Sequence, residues 1–580
     1  DSTGVGPLAV TSAEYKMDAT TDPDVLADRK TEVWARVYRP ATLGADKHPL
    51  LVFLHGNHAT CGRGSNPRVD DNTQYTMQGT CPAGYVVVPN HLGYAYTAER
   101  LASWGYVVVS INANRGITAG GGTSGDGGLN LARGRLVLKH LSLLSQWNAT
   151  PGTTPTSLGV DLAGKLDFDN VGMMGHSRGG EGVRAAYVQY HDPGSPWPAR
   201  IQSPLNVKAI FEIGPVDGQT GRTLNALGTA WNVILPMCDG DVSNLQGMKP
   251  FDRMLAASTE PRATPKGMFA VWGANHNYYN TEWQQSDSRS CRGAGHTQLW
   301  ESGQIGSVKQ QATGLHALMG FFRAHVGKSA EGAFNNVYDP QYALPESLEA
   351  VTRIERAYAD AVHPDQVVLL ENFTTPVGSS LAGQPTVAEN VTVRHGSVPE
   401  HDSVLKAASV SWTSAGQGTF LQIPWSAPGS GLDASAMNTL DLRVSNQTNT
   451  GSATVATNFS IQLVNDDDTL SEPLKLKDYV ELFTPGGHIV LSSARIPLGD
   501  FRAARLTKVR AVRFTFDDTA DGSIYLASLR LSRSTAPRAS VSSGQFVGLD
   551  TPGGEHQTIT VTTGNQAPVL RARGGDEVEV

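Results

Sequence analysis

The chain has 580 residues, with 46 Lys and Arg against 54 Asp and Glu and a net charge of −8. That length calls for two or three domains, and 39% apolar residues can fill their cores, which excludes wholesale disorder. A mildly acidic chain with no basic cluster excludes nucleic-acid binding, and no apolar run approaches the roughly 18 residues of a membrane-spanning helix.

Up to about residue 326, apolar strand-like runs alternate with amphipathic segments, the pattern of a layered α/β domain. Strands are expected at 32–38, 50–54, 106–111, 171–174, 207–213, 233–237 and 268–272. Several are unbroken apolar runs, as parallel strands covered on both faces require. Helices are expected at 129–147, 179–190 and 311–326, the first carrying Leu131, Leu136, Leu138, Leu141 and Leu144. This domain spans 1–328. A partly helical linker follows over 329–366, with its helix at 348–362. From 367 to 534 the runs at 440–444, 459–464, 509–516 and 524–532 alternate apolar and polar residues between Asn, Asp, Gly and Ser turns. That is the signature of an antiparallel β-sandwich. The tail, 535–580, is rich in Ser, Gly and Pro, with one strand-like piece at 558–562.

Four cysteines, Cys61, Cys81, Cys238 and Cys291, permit three pairings. Locality favours Cys61–Cys81 and Cys238–Cys291, each closing a Gly/Ser/Asn-rich stretch that a staple would restrain. Two disulfides imply an oxidising compartment, secreted or periplasmic. The competing reading is four buried thiols in a cytosolic protein. Zinc is disfavoured, because the sequence has neither a Cys-x-x-Cys pair nor a His-Glu-x-x-His run.

Gly175-His-Ser-Arg-Gly179 is a G-x-S-x-G pentapeptide, weak alone and strong in context. It follows the apolar run ending at Met174 and precedes a helix-forming segment, the strand–turn–helix that exposes a nucleophile. Ser177 is the expected nucleophile. Its hydroxyl needs an imidazole to take its proton, and the imidazole needs an acid to orient it, in the chain order Ser, acid, His. The strand at 233–237 runs into Cys238-Asp-Gly-Asp241, and the strand at 268–272 into Gly273-Ala-Asn-His276. Both are strand carboxyl ends, where α/β sheets collect their chemistry. Asp241 and His276 are the expected partners, with Asp239 the rival acid and His296 a weaker rival base. For the oxyanion, one donor is expected to be the backbone N–H of Arg178. The other is expected from Asn57, with His58 second, in the turn after the strand at 50–54.

His55-Gly-Asn-His58, Gly175-His-Ser-Arg-Gly-Gly180, Asp239-Gly-Asp241 and Gly273-Ala-Asn-His276 together resemble the α/β-hydrolase superfamily. The branch most resembled is the secreted esterases, lipases and cutinase-like polyester hydrolases, related to dienelactone hydrolases. The resemblance covers roughly residues 30–326. It implies the α/β-hydrolase fold and a serine hydrolase acting on small-molecule or polymeric carboxylic esters, with no cofactor and no metal. The loop 61–96 and the Gly-rich stretch 116–128 exceed a minimal cutinase, and either could wall or lid the cleft. The Gly-rich stretch lacks the Gly-Lys-Ser/Thr of a phosphate cradle and reads as a mobile loop.

The region 367–534 is similar to the jelly-roll modules appended to secreted hydrolases, many of which bind carbohydrate. Trp412, Trp425, Tyr479 and Phe483 are candidates for a stacking platform, or for its core. The acidic turns at 465–468 and 517–518 could hold a structural Ca²⁺, the alternative being plain solvated turns. Two rival functions stand beside the esterase. One is a carbohydrate- or surface-binding protein with the first domain as scaffold, and the other is a serine peptidase of the same fold.

Overall fold

The computed structural model describes residues 2–257, 260–289, 291, 297–328, 330–361, 363–447, 456–483 and 487–533. Nine strands form one mixed sheet: β1 (Val10–Lys16), β2 (Trp34–Pro40), β3 (His48–Leu54), β4 (Val107–Ile111), β5 (Leu166–His176), β6 (Val207–Ile213), β7 (Ala230–Pro236), β8 (Lys266–Val271) and β9 (Ile354–Ala359). Their order is β1-β2-β4-β3-β5-β6-β7-β8-β9. Strands β3 to β8 run parallel, while β1, β2 and β9 pair antiparallel with their neighbours.

The helices that cover this sheet are α1 (Ala95–Ala102), α2 (Asn130–Ala149), α3 (Arg178–His191), α4 (Met248–Ala256) and α5 (Val308–His325). Side chains of a strand point alternately to its two faces, so an unbroken apolar run feeds two cores. Leu50, Val52 and Leu54 of β3 pack with α2 and α3, whereas Leu51 and Phe53 pack with α1 and α5. The parallel strands and three helices expected from hydropathy stand within a few residues of their predicted places.

Two edge strands differ from expectation. β1 reads Val-Thr-Ser-Ala-Glu-Tyr-Lys, half-buried and too polar to announce itself. The helix expected at 348–362 is overturned: a single turn at Glu346–Glu349 is followed by β9, paired antiparallel to β8. Ile-Glu-Arg-Ala-Tyr-Ala favours helix locally, but the unpaired edge of β8 offers a full ladder of hydrogen bonds, and tertiary context wins. A boundary at residue 328 therefore leaves β9 on the far side of the cut.

From residue 367 the chain forms a six-stranded and a five-stranded antiparallel sheet. Val410, Leu442 and Leu526 from the first share one core with Ile423, Leu463 and Phe514 from the second. Trp412 and Tyr479 lie inside this part, Trp412 stacked on Phe516 at 4.3 Å and Tyr479 donating to Asp500 Oδ2 (2.8 Å). Trp425 donates to Val509 O (2.8 Å), and Phe483 lies under the guanidinium of Arg353 at 3.4 Å. The four aromatics do not share one open face. The acidic turns are spent on cations: Asp466, Asp467 and Asp468 on Arg505, Lys508 and Arg510, and Asp517 on Lys475. The tail, 535–580, and its strand-like piece lie outside the described residues. No helix among the described residues is long and apolar enough to cross a membrane.

The two parts are tied by buried charge. Asp252 of α4 holds His401 (2.8 Å) and Arg443 (2.7 Å), and Arg495 is surrounded by Asp339, Asp360 and Asp441. Tyr338, Leu348, Ile354 and Tyr358 bury their side chains in the core beneath α5. At roughly 2 kcal/mol for each large buried side chain, these four match much of an ordinary domain's stability of about 5–15 kcal/mol. A chain ending at residue 330 is therefore expected to unfold well below the full-length protein in a thermal melt. An unchanged melting temperature would show that the sheet stands without β9.

Candidate active site

Ser177 sits between β5 and α3 with φ 59° and ψ −126°, in the left-handed half of backbone space that a side chain rarely adopts. Two glycines make the turn sterically feasible. A Cβ on Gly175 would collide with Gly179 O, and one on Gly179 would collide with Leu54 O. The turn is held by Ser177 N donating to Ile213 O of β6 (2.8 Å) and Gly180 N donating to Ser177 O (2.9 Å). The loop after β3 crosses directly over the serine, since a Cβ on Gly56 would fall 2.5 Å from Ser177 Cβ.

The next strand ends supply the partners. His276, buried in the loop after β8, donates through Nδ1 to Asp239 Oδ2 at 2.7 Å. Gly214, which follows β6, packs against both groups. The expectation that Asp241 orients the histidine is corrected. Asp239 Oδ1 accepts the backbone N–H groups of Asp241 (2.9 Å) and Val242 (2.6 Å). That Asx turn points Oδ2 inward at the imidazole and swings residue 241 outward. Asp241 is 59% exposed, with Oδ2 3.4 Å from His276 Nε2 and no hydrogen bond between them. Nε2 is left buried without a hydrogen-bond partner, and Ser177 Oγ forms no hydrogen bond among the described residues.

Burial alone would pull the His276 pKa down. The carboxylate of Asp239 reverses this, Asp241 and Asp287 add to it, and the imidazole is held at about 9. A base must be neutral to take a proton, so catalysis through Nε2 is expected to strengthen as the pH rises. kcat/KM on a soluble ester should gain about tenfold per unit below about pH 9 and level off above it. A profile levelling near the ordinary imidazole value of about 6.5 would show that the carboxylates do not hold the proton on His276.

Three groups around His276 carry no signal in the sequence. Asp287 accepts N–H groups from Gly240 (2.7 Å), His276 (3.2 Å) and Asn277 (2.9 Å), bracing the acid loop against the histidine loop. Trp283 lies parallel to His276 at 6.2 Å and donates to Asn90 Oδ1 (2.8 Å). His176 donates from Nε2 to His276 O (3.0 Å). Both Asp287 and Trp283 come from a Gln/Ser/Asp stretch with no periodicity to mark them.

The backbone N–H groups of Arg178 and Asn57 donate to no group of the chain among the described residues, which leaves two donors beside Ser177. The Asn57 side chain is committed elsewhere, Oδ1 accepting from Ala119 N (2.7 Å). His58 turns to Asp70 (3.2 Å) and stacks on Trp283 at 4.8 Å. The Gly-rich stretch is pinned rather than free: beyond the Ala119 contact, Gly128 N donates to Gln219 O (3.0 Å) and Gly221 N to Gly125 O (2.7 Å).

Both expected disulfides are present, Cys61–Cys81 and Cys238–Cys291. The second joins the residue before Asp239 to the segment just after Asp287, a covalent brace parallel to the Asp287 hydrogen bonds. His296 lies outside the described residues. Among the described residues no cluster of three His, Cys, Asp or Glu side chains is placed to hold a metal ion. No protein-family model matches the chain, and no curated protein matches it.

Proposed function

We propose that the chain is a serine hydrolase of carboxylic esters, built on the α/β-hydrolase fold and carrying a C-terminal jelly-roll-like module. The observation that carries the reading is the strained Ser177 turn beside a buried His276, whose Nδ1 is held by Asp239 while Nε2 has no hydrogen-bond partner among the described residues. In this mechanism Ser177 Oγ attacks the ester carbonyl while Nε2 takes its proton. Asp239 keeps Nδ1 protonated and stabilises the imidazolium that forms. The N–H groups of Arg178 and Asn57 face the developing oxyanion. The imidazolium then protonates the departing alcohol, and water, activated by the same Nε2, releases the acid from Ser177.

The two disulfides favour a secreted or periplasmic setting. The substrate class is a carboxylic ester, small or polymeric, among them lipids, polyesters and plant-polymer esters. A fluorophosphonate label located by peptide mapping, run beside p-nitrophenyl esters of increasing acyl length, tests the reading. Labelling at Ser177 together with ester turnover is expected. A label on another serine, or a protein that neither labels nor turns over any ester, would overturn it.

A further inference from the structure

Away from Ser177, a cavity of about 370 Å³ opens between the end of α4 and the six-stranded sheet. Leu255 and Ala256 of the helix face Val367, Leu369, Val404 and Leu405 across it. Leu369 and Val404 are 43% and 47% exposed, so the apolar wall continues out to the rim. Scattered apolar residues are ordinary on a protein surface, whereas a contiguous apolar cleft between two packed units is the usual form of a ligand site.

Three charged groups line this cleft: Asp252, Lys406 and Arg530. Lys406 donates to Ser397 Oγ (2.9 Å). Arg530 is only 8% exposed, and its Nη2 donates to Leu255 O. Its Nε is buried without a hydrogen-bond partner among the described residues. The carboxylates nearby are already engaged. Asp441, its cross-strand neighbour, is held by Arg495 and Ser532, and Asp252 by His401 and Arg443. A guanidinium buried against apolar walls with an unmet donor is costly, and an incoming anion recovers that cost.

The strand that carries Arg530 is also distorted. Ser528, which lines the cavity, has φ 53°, and the strand Gly522–Ser532 shifts register against both of its neighbours in this region. Bulges and left-handed residues inside strands re-aim side chains, and they persist where the surroundings over-determine them.

We propose that this cleft binds an amphiphilic monocarboxylate, with its hydrocarbon body between Leu255 and Val404 and its carboxylate on Arg530. An inorganic anion would leave the apolar walls unfilled, and a neutral alcohol could accept from Nε but would bring no charge to the guanidinium. The proposal does not depend on the chemistry at Ser177.

Isothermal titration of the full-length chain with sodium octanoate tests it, with sodium acetate and octanol as controls. Octanoate is expected to bind one to one, and each control to bind weaker by about tenfold or more. Arg530→Met should weaken octanoate by about the same factor. If that variant fails to fold, Val404→Glu remains. It places a carboxylate on the exposed rim, leaves the core untouched, and is expected to repel octanoate about tenfold. No measurable octanoate binding overturns the proposal. So does binding that survives both substitutions, whether at the cleft of Ser177 or elsewhere.

Discussion

Replacing Ser177 with alanine is expected to lower kcat/KM on any ester substrate by on the order of 10⁴-fold or more while leaving the melting temperature unchanged. The size follows from the loss of the nucleophile, which no neighbouring group replaces. The unchanged fold follows from the backbone. Ser177 already holds φ 59° with a Cβ in place, so alanine inherits the same strain and the same steric fit against Gly56. Ser177 Oγ makes no hydrogen bond among the described residues, so its removal breaks none of them. Initial rates and thermal melts on the same preparation check both halves. Retained turnover would move the chemistry to another residue.

Asp239→Asn is expected to cost roughly as much as loss of the nucleophile, on the order of 10⁴-fold, while Asp241→Asn leaves most activity. An asparagine at 239 can keep Oδ1 on the N–H groups of Asp241 and Val242, preserving the turn. Its amide nitrogen then faces His276 Nδ1, and Nε2 carries the proton that it should be accepting. Asp241 touches only the solvent side of the imidazole, at 3.4 Å from Nε2. Its removal takes away one of the carboxylates that hold the pKa at about 9, so the pH profile should move to lower pH. pH–rate profiles of both variants separate the two roles. The reverse ranking would return the orienting function to Asp241.

These residues also mark the boundary of what the sequence makes legible. β3, β5, β6, β7 and β8 are legible because strands covered on both faces are largely apolar, and short apolar runs bounded by turn residues fit buried strands. Ser177 and His276 are legible because each lies at or within a few residues of the carboxyl end of one of those strands. Asp239 and Asp241 lie two residues apart in one loop, and choosing between them depends on an Asx turn that local spacing does not reveal. Asp287 acts through backbone N–H groups of other loops, a role with no residue pattern of its own. β1 and β9 are hidden for a related reason. An edge strand needs little apolar character, and β9 is a strand only because β8 is there to pair with it.

The placement of β9 has a consequence for how the protein is made. β8 ends at Val271, and the strand that covers its outer side does not begin until Ile354. Throughout that interval of synthesis, β8 presents a row of unpaired N–H and C=O groups on an apolar strand, the kind of template that recruits any extended chain, including another copy. Strand Ile354–Ala359 is thus a gatekeeper as well as a structural member. A proline at Ala357, which cannot donate to the ladder, should show itself first as aggregate during expression, before any change in the chemistry at Ser177 could be measured.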